Sequence, residues 1–77
     1  MNPKLPVVTG KEVVMVATKV GFVFDRQAGS HVTLRHPEKR QSVTVPVHGG
    51  RELTPGTLRT IIRDAGLTVE QFRRLLG

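Results

Sequence analysis

The stretch GSHVTLRHPEKRQSVTVPVH, Gly29 to His48, decides the fold, because its apolar residues recur at every second position on both sides of a charged turn. Val32 and Leu34 face one way and His31, Thr33 and Arg35 the other, as successive strand side chains must. Pro37 to Gln41 makes a turn, after which Val43, Val45 and Val47 resume the apolar alternation against Ser42, Thr44 and His48. Residues 31 to 36 and 42 to 48 are therefore expected to be two antiparallel strands. Pro46 has no ladder donor, which places the second of them at a sheet edge.

Upstream, Phe22 and Phe24 alternate with Val23 and Asp25 to give a further strand, and QAGS is expected to turn the chain into His31. Before that strand the period changes. Thr9 stands three residues ahead of Glu12, the spacing of a capping box, and Val13, Val14, Ala17 and Val20 fall on one helical face. A helix over residues 10 to 20 follows, ended by Gly21 in the left-handed cap position. Its β-branched valines oppose this reading through propensity alone. MNPKLPVV, with two prolines, is expected to be an irregular arm over residues 1–8.

Downstream, HGGREL reads as a flexible link. Thr54 followed by Pro55 opens a helix with Leu58, Ile61, Ile62 and Ala65 inward and Gly66 as its stop. Thr68 with Gln71 is a second capping box, starting a last helix that buries Val69, Phe72, Leu75 and Leu76. The order α-β-β-β-α-α with short connections implies one α+β domain over 1–77, a three-stranded antiparallel sheet with helices packed on one face.

Composition bounds the function. Seventy-seven residues without cysteine make a single small domain that no disulfide staples. No apolar run reaches membrane-spanning length and the N-terminus lacks a long apolar region, so a cytoplasmic location is expected. Twelve Lys+Arg against six Asp+Glu give a formal charge of +6, with a sequence pI near 11.3. Such a balance suits a partner rich in phosphate or carboxylate. No dinucleotide or Walker glycine motif, nucleophile elbow or zinc spacing occurs, so neither a metal nor another cofactor is expected.

RNA cleavage needs less, because the substrate brings its own 2′-hydroxyl nucleophile. A base, a cation and an acid are the groups the protein must add. Histidine, with an unperturbed pKa of about 6.5, suits either proton-transfer role. If helices cover the Val32 and Leu34 face, His31 and Arg35 share the open face and are expected to offer base and cation together. A polar open face is also what any half-buried antiparallel sheet shows. His36 points with Val32 and Leu34 beside a turn and reads as structural. His48 ends the third strand next to two glycines, either binding phosphate or merely closing the strand. Lys39, Arg40, Arg59 and Arg63, with Thr57 near a helix N-terminus, are candidate RNA contacts as a group, since sequence-independent affinity needs several phosphate contacts.

The segments KLPVVTGKEV, VGFVFDRQAGSHVTLRHP, VTVPVH and ELTPGTLRTIIRDAGLTVEQF cover nearly the whole chain. In this order they resemble the HicA toxins, also called YcfA-type mRNA interferases, of type II toxin-antitoxin systems. The first helix departs from the family in being rich in valine rather than lysine and leucine. The resemblance implies a fold like the double-stranded-RNA-binding domain, cleavage of mRNA and neutralisation by a cognate HicB-type antitoxin; the missing ligand set and the substrate's own nucleophile make metal-independent cleavage the expectation. It makes the histidine of the GSH motif, His31, the catalytic residue. Gly29 and Ser30 belong to the motif and are expected only to shape the turn. Arg73 and Arg74 are candidates for meeting the antitoxin. The competing readings are a non-catalytic RNA-binding module and a basic domain whose ligand is an acidic protein.

Overall fold

The computed structural model describes residues 4–77. It contains α1 (Gly10–Lys19), β1 (Val23–Ala28), β2 (His31–Arg35), β3 (Ser42–Pro46), α2 (Pro55–Asp64) and α3 (Val69–Leu76). The three strands form one antiparallel sheet in the order β1-β2-β3, so this is the α+β arrangement expected. The edge place of β3 answers to Pro46. Residues 1–3 of the expected arm lie outside the described residues. The rest of the arm has no regular structure but is docked: Val8 is buried and its carbonyl accepts the Leu53 N–H at 2.9 Å. No helix among the described residues is long and apolar enough to cross a membrane.

Local chemistry sets every helix end. The Thr9–Glu12 and Thr68–Gln71 boxes are both formed, and Thr54 caps α2 with Pro55 at the first helical position. At the other ends, Gly21 (φ 100) and Gly66 (φ 75) take the left-handed conformation. Their N–H groups bond Thr18 and Arg63, while the next residues, Phe22 and Leu67, bond Ala17 and Ile62. These paired bonds satisfy carbonyls that the helix leaves open.

The helices bury one face of the sheet, α1 and α2 packing mainly on β3. Leu34, Val43 and Val45 meet Val13, Val16 and Ala17 of α1, Leu58, Ile61 and Ile62 of α2, and Phe22 and Phe72 in a single core. Val16 was not on the expected face, whereas Val14 and Val20 are only partly buried. A helix packed against both the sheet and α3 buries more than a single stripe.

Three local expectations are corrected. The turn is Gly29-Ser30 rather than QAGS, because Gln27 and Ala28 pair with Val32 and His31. Gly29 has φ 58 and Ser30 does not have positive φ, the pattern of the two-residue hairpin turn that takes Gly first. Secondly, the ladder slips at Asp25, between Phe24 and Arg26. This bulge breaks the alternation beyond Phe24, which pairs with buried Leu34 but is itself 61% exposed because the helices do not cover the edge strand β1. Thirdly, Thr33 is not open to solvent: it is 9% exposed and its hydroxyl meets that of Thr44 at 3.2 Å.

Gly10 is where α1 touches the end of β3. A Cβ there would collide with the Pro46 carbonyl and approach the Val47 Cα to 3.0 Å, whereas a Cβ on Gly56 in α2 meets nothing. Helix propensity favours alanine over glycine by up to ~1 kcal/mol. Gly56→Ala is accordingly expected to stabilise by about 0.4–1 kcal/mol. Gly10→Ala is expected to destabilise by about 1–3 kcal/mol, the cost of overpacking. Urea or thermal unfolding of the two variants beside the parent checks the opposite signs.

Candidate active site

His31 opens β2 immediately after the Gly29-Ser30 turn, and its side chain is exposed. The register puts Ala28 on one side of it and Pro46 on the other. The bulge at Asp25 matters here. By shifting β1 one residue, it sets the methyl group of Ala28, rather than a long side chain, beside the imidazole.

The chain returns to this point after β3. Val47 donates its N–H to the Ser30 carbonyl at 2.7 Å, which carries the next residue, His48, to the hairpin tip. The rings of His31 and His48 stand 6.5 Å apart between centroids with an interplanar angle of 80°. Ser30 Oγ lies 3.1 Å from His48 Nε2. Ser30, in the turn, thus also touches the second imidazole.

A tight turn follows, Arg51 donating its N–H to the His48 carbonyl at 2.9 Å, with Gly49 at φ 56. HGGREL is therefore an ordered connection. It brings His48 and Arg51 against the start of α2, where they line a pocket of about 150 Å³ with Thr54 and Thr57. The Thr54 hydroxyl donates to the Thr57 hydroxyl at 3.0 Å, so Thr57 serves the cap as well as facing the pocket. Arg51 escaped the sequence reading. Its signal was its place three residues after His48, legible only once the link is known to be a turn.

Arg35 is not beside His31. It pairs with Ser42 at the far end of β2 while His31 pairs with Pro46, and four residues of strand span roughly 13 Å. The expectation of base and cation in one place fails because both ends of a five-residue strand share a face without sharing a neighbourhood. Arg35 instead lines a second basic hollow with Lys39 and Arg40 in the β2–β3 hairpin. Arg59 and Arg63 are exposed along α2, Arg63 lying 3.5 Å from the Asp64 carboxylate, an exposed pair of small energetic worth. On α3, Arg74 pairs with Glu70 at 2.8 Å, and Arg73 holds the Lys4 carbonyl at 3.1 Å.

His36 sits at the other end of β2 from His31. Its ring meets Phe22 edge-on, with centroids 5.3 Å apart. Its Nδ1 accepts the N–H groups of Glu38 and Lys39 at 3.2 and 3.1 Å. Packed and bonded in this way, it shapes the hairpin. No group of three or more His, Cys, Asp or Glu side chains converges among the described residues.

The chemistry assembled at the tip is two exposed imidazoles, a hydroxyl and a guanidinium at one corner of the sheet. Comparison with curated proteins finds no match. A model of the family described as the HicA toxin of bacterial toxin-antitoxin matches residues 10–67, from the first residue of α1 to the residue before the last capping box, with the whole of this corner inside it. The chain belongs to the HicA toxin family of bacterial toxin-antitoxin systems.

Proposed function

We propose that the protein is a toxin endoribonuclease that cleaves mRNA, with His31 drawing the proton from a ribose 2′-hydroxyl, and that a HicB-type antitoxin neutralises it. The observation that carries this reading is the exposed His31 beside a second imidazole at the one corner where two strand ends meet a helix start. A core histidine would be packed and bonded as His36 is.

Once activated, the 2′-oxygen attacks phosphorus and the bond to the 5′-oxygen breaks, leaving a 2′,3′-cyclic phosphate and a 5′-hydroxyl. Since the nucleophile belongs to the RNA, the protein's task is proton transfer and charge stabilisation. Arg51, which lines a pocket with His48, is the cation assigned to this chemistry. Lys39, Arg40 and Arg35 at the far end of the sheet, with Arg59 and Arg63, would hold the flanking backbone.

Purified protein incubated with labelled RNA in chelator tests the reading. Cleavage is expected to persist in chelator and to fail on a strand lacking the scissile 2′-hydroxyl. Equal cutting of DNA would sink the mechanism, and retention of RNA without cleavage would make the protein a binding module. His31→Ala is expected to slow cleavage about 100- to 10,000-fold, the usual worth of acid–base catalysis. Being exposed, it should change stability by no more than about 0.5 kcal/mol. A variant that unfolds instead would show that His31 belongs to the core.

Binding should be dominated by phosphate. Affinity is expected to fall log-linearly with salt, each neutralised phosphate of a single strand contributing about 0.7 to the slope. Lys39→Ala and Arg40→Ala should flatten that line rather than only lower it. A slope unchanged in both variants would remove the hairpin from the interface.

The antitoxin is expected to cover His31, with complementary charge speeding the encounter. Diethylpyrocarbonate should acylate His31 in the free toxin and spare it in the inhibited complex. Full labelling within an inactive complex would contradict this arrangement.

A further inference from the structure

We propose that His48 is the general acid of the cleavage reaction, and that Ser30 is a positioning residue that orients it. The proposal rests on the reading of His31 as base. In the displacement at phosphorus, the attacking 2′-oxygen and the departing 5′-oxygen lie on opposite sides of the phosphorus. One side chain cannot serve both at the same moment, so a second proton-transfer group must stand a few ångströms from the first. His48 is the imidazole so placed, its ring 6.5 Å from that of His31 between centroids and turned 80° to it.

The Ser30 contact decides which nitrogen acts. With Ser30 Oγ 3.1 Å from Nε2, the ring is held by that nitrogen, which leaves Nδ1 to carry the transferred proton. In the imidazolium, Nε2–H donates to the Ser30 hydroxyl and Nδ1–H passes its proton to the 5′-oxygen as the P–O bond breaks. His31 gains the proton of the 2′-hydroxyl in the same step. The proton count therefore closes within the pair, with one gained at His31 and one lost at His48, and later hydrolysis of the cyclic phosphate by water reverses the two roles. No co-reactant beyond water is needed.

Three backbone features keep His48 there. The Val47 N–H bonds the Ser30 carbonyl, the Arg51 N–H closes the turn on the His48 carbonyl, and Gly49 supplies the positive φ of that turn. Arg51, lining the same pocket as His48, lies where it can neutralise a phosphate oxygen. Glu52 shares that pocket, and its backbone forms an isolated bridge with Thr9.

A leaving-group substitution tests the assignment. A thiolate departs without protonation, so an RNA whose scissile 5′-oxygen is replaced by sulfur needs no acid. On ordinary RNA, His48→Ala is expected to lower kcat about 100- to 10,000-fold, with little change in RNA retention. On the sulfur-substituted RNA it should cleave within about tenfold of the parent. His31→Ala should stay slow on both substrates, because the nucleophile still needs its base. Ser30→Ala is expected to lose part of the rate on ordinary RNA and none on the sulfur-substituted one, and Ser30→Thr should restore it. If the parent cleaves ordinary RNA and His48→Ala does so equally fast, or is slow on both substrates, His48 is not the acid. If the parent cleaves neither, the ribonuclease reading itself fails. Thermal unfolding of each variant, expected to match the parent, separates lost chemistry from lost fold.

Discussion

The hydrogen bond from the Val47 N–H to the Ser30 carbonyl, 2.7 Å long, carries the β2–β3 ladder one rung past His31 and Pro46, onto the hairpin turn. It is the next hydrogen-bonded rung after that pair, which exchanges no ladder bonds of its own. Pro46 is tolerated there because its nitrogen faces the open edge of the sheet, where no N–H is needed. A single such bond contributes only about 0.5–1.5 kcal/mol net. Its structural effect is larger, since it sets the direction in which the chain leaves the sheet and hence where His48, Arg51 and the start of α2 come to lie. Gly10 guards the same joint from the other side, because the end of β3 comes up against the beginning of α1 where no side chain intrudes.

The division between core and corner follows from how the helices cover the sheet. They pack mainly on β3, whose Val43 and Val45 are fully buried, and leave β1 as an exposed edge. Apolar burial is thus concentrated beneath the strand whose end carries His48. The candidate chemistry then sits on side chains that are themselves outside the core but attached to backbone that cannot drift. The basic hairpin at the far end of β2 is held separately, through His36 against Phe22 and the amides of Glu38 and Lys39. Cations at both ends of a short sheet give an extended surface for a polyanion, with the two imidazoles at one end of it.

Much of this could be read from residues alone. Helix limits were legible because each is set locally, by Thr9 with Glu12, Thr54 with Pro55, Thr68 with Gln71, and by glycines at the left-handed caps. Strand pairing was legible because alternation and Pro46 are strong constraints. What escaped depended on partners distant in sequence. No local residue type marks the bulge at Asp25 or the uncovered edge of β1, so neither the length of the turn nor the exposure of Phe24 can be read from alternation. Arg35 was put beside His31 because alternation reports the face and not the position along it. Ser30 and Arg51 were undervalued for the same reason: their contacts and pocket are made with residues that the turns bring back. The GSH motif named His31, but its setting became visible only when β3 closed onto the hairpin tip.

This separation governs how loss of activity should be interpreted. His31, His48 and Arg51 are exposed, and the Ser30 hydroxyl makes one polar contact, so removing any of these side chains takes away little buried area and little stability. Gly10, Val45 and Leu58 stand at no chemistry, yet a change there moves the end of β3 or the start of α2, and with them the distance between the two imidazoles. Acid–base catalysis tolerates such displacement poorly, because the transferring atoms must lie within hydrogen-bond reach. Inactive variants should therefore fall into two physically distinct classes, one stable and chemically incomplete, the other less stable with every reactive group still present. Their positions in the chain interleave, since Gly10 packs on Pro46 and Val47 just ahead of His48, so only unfolding measured beside cleavage can tell them apart.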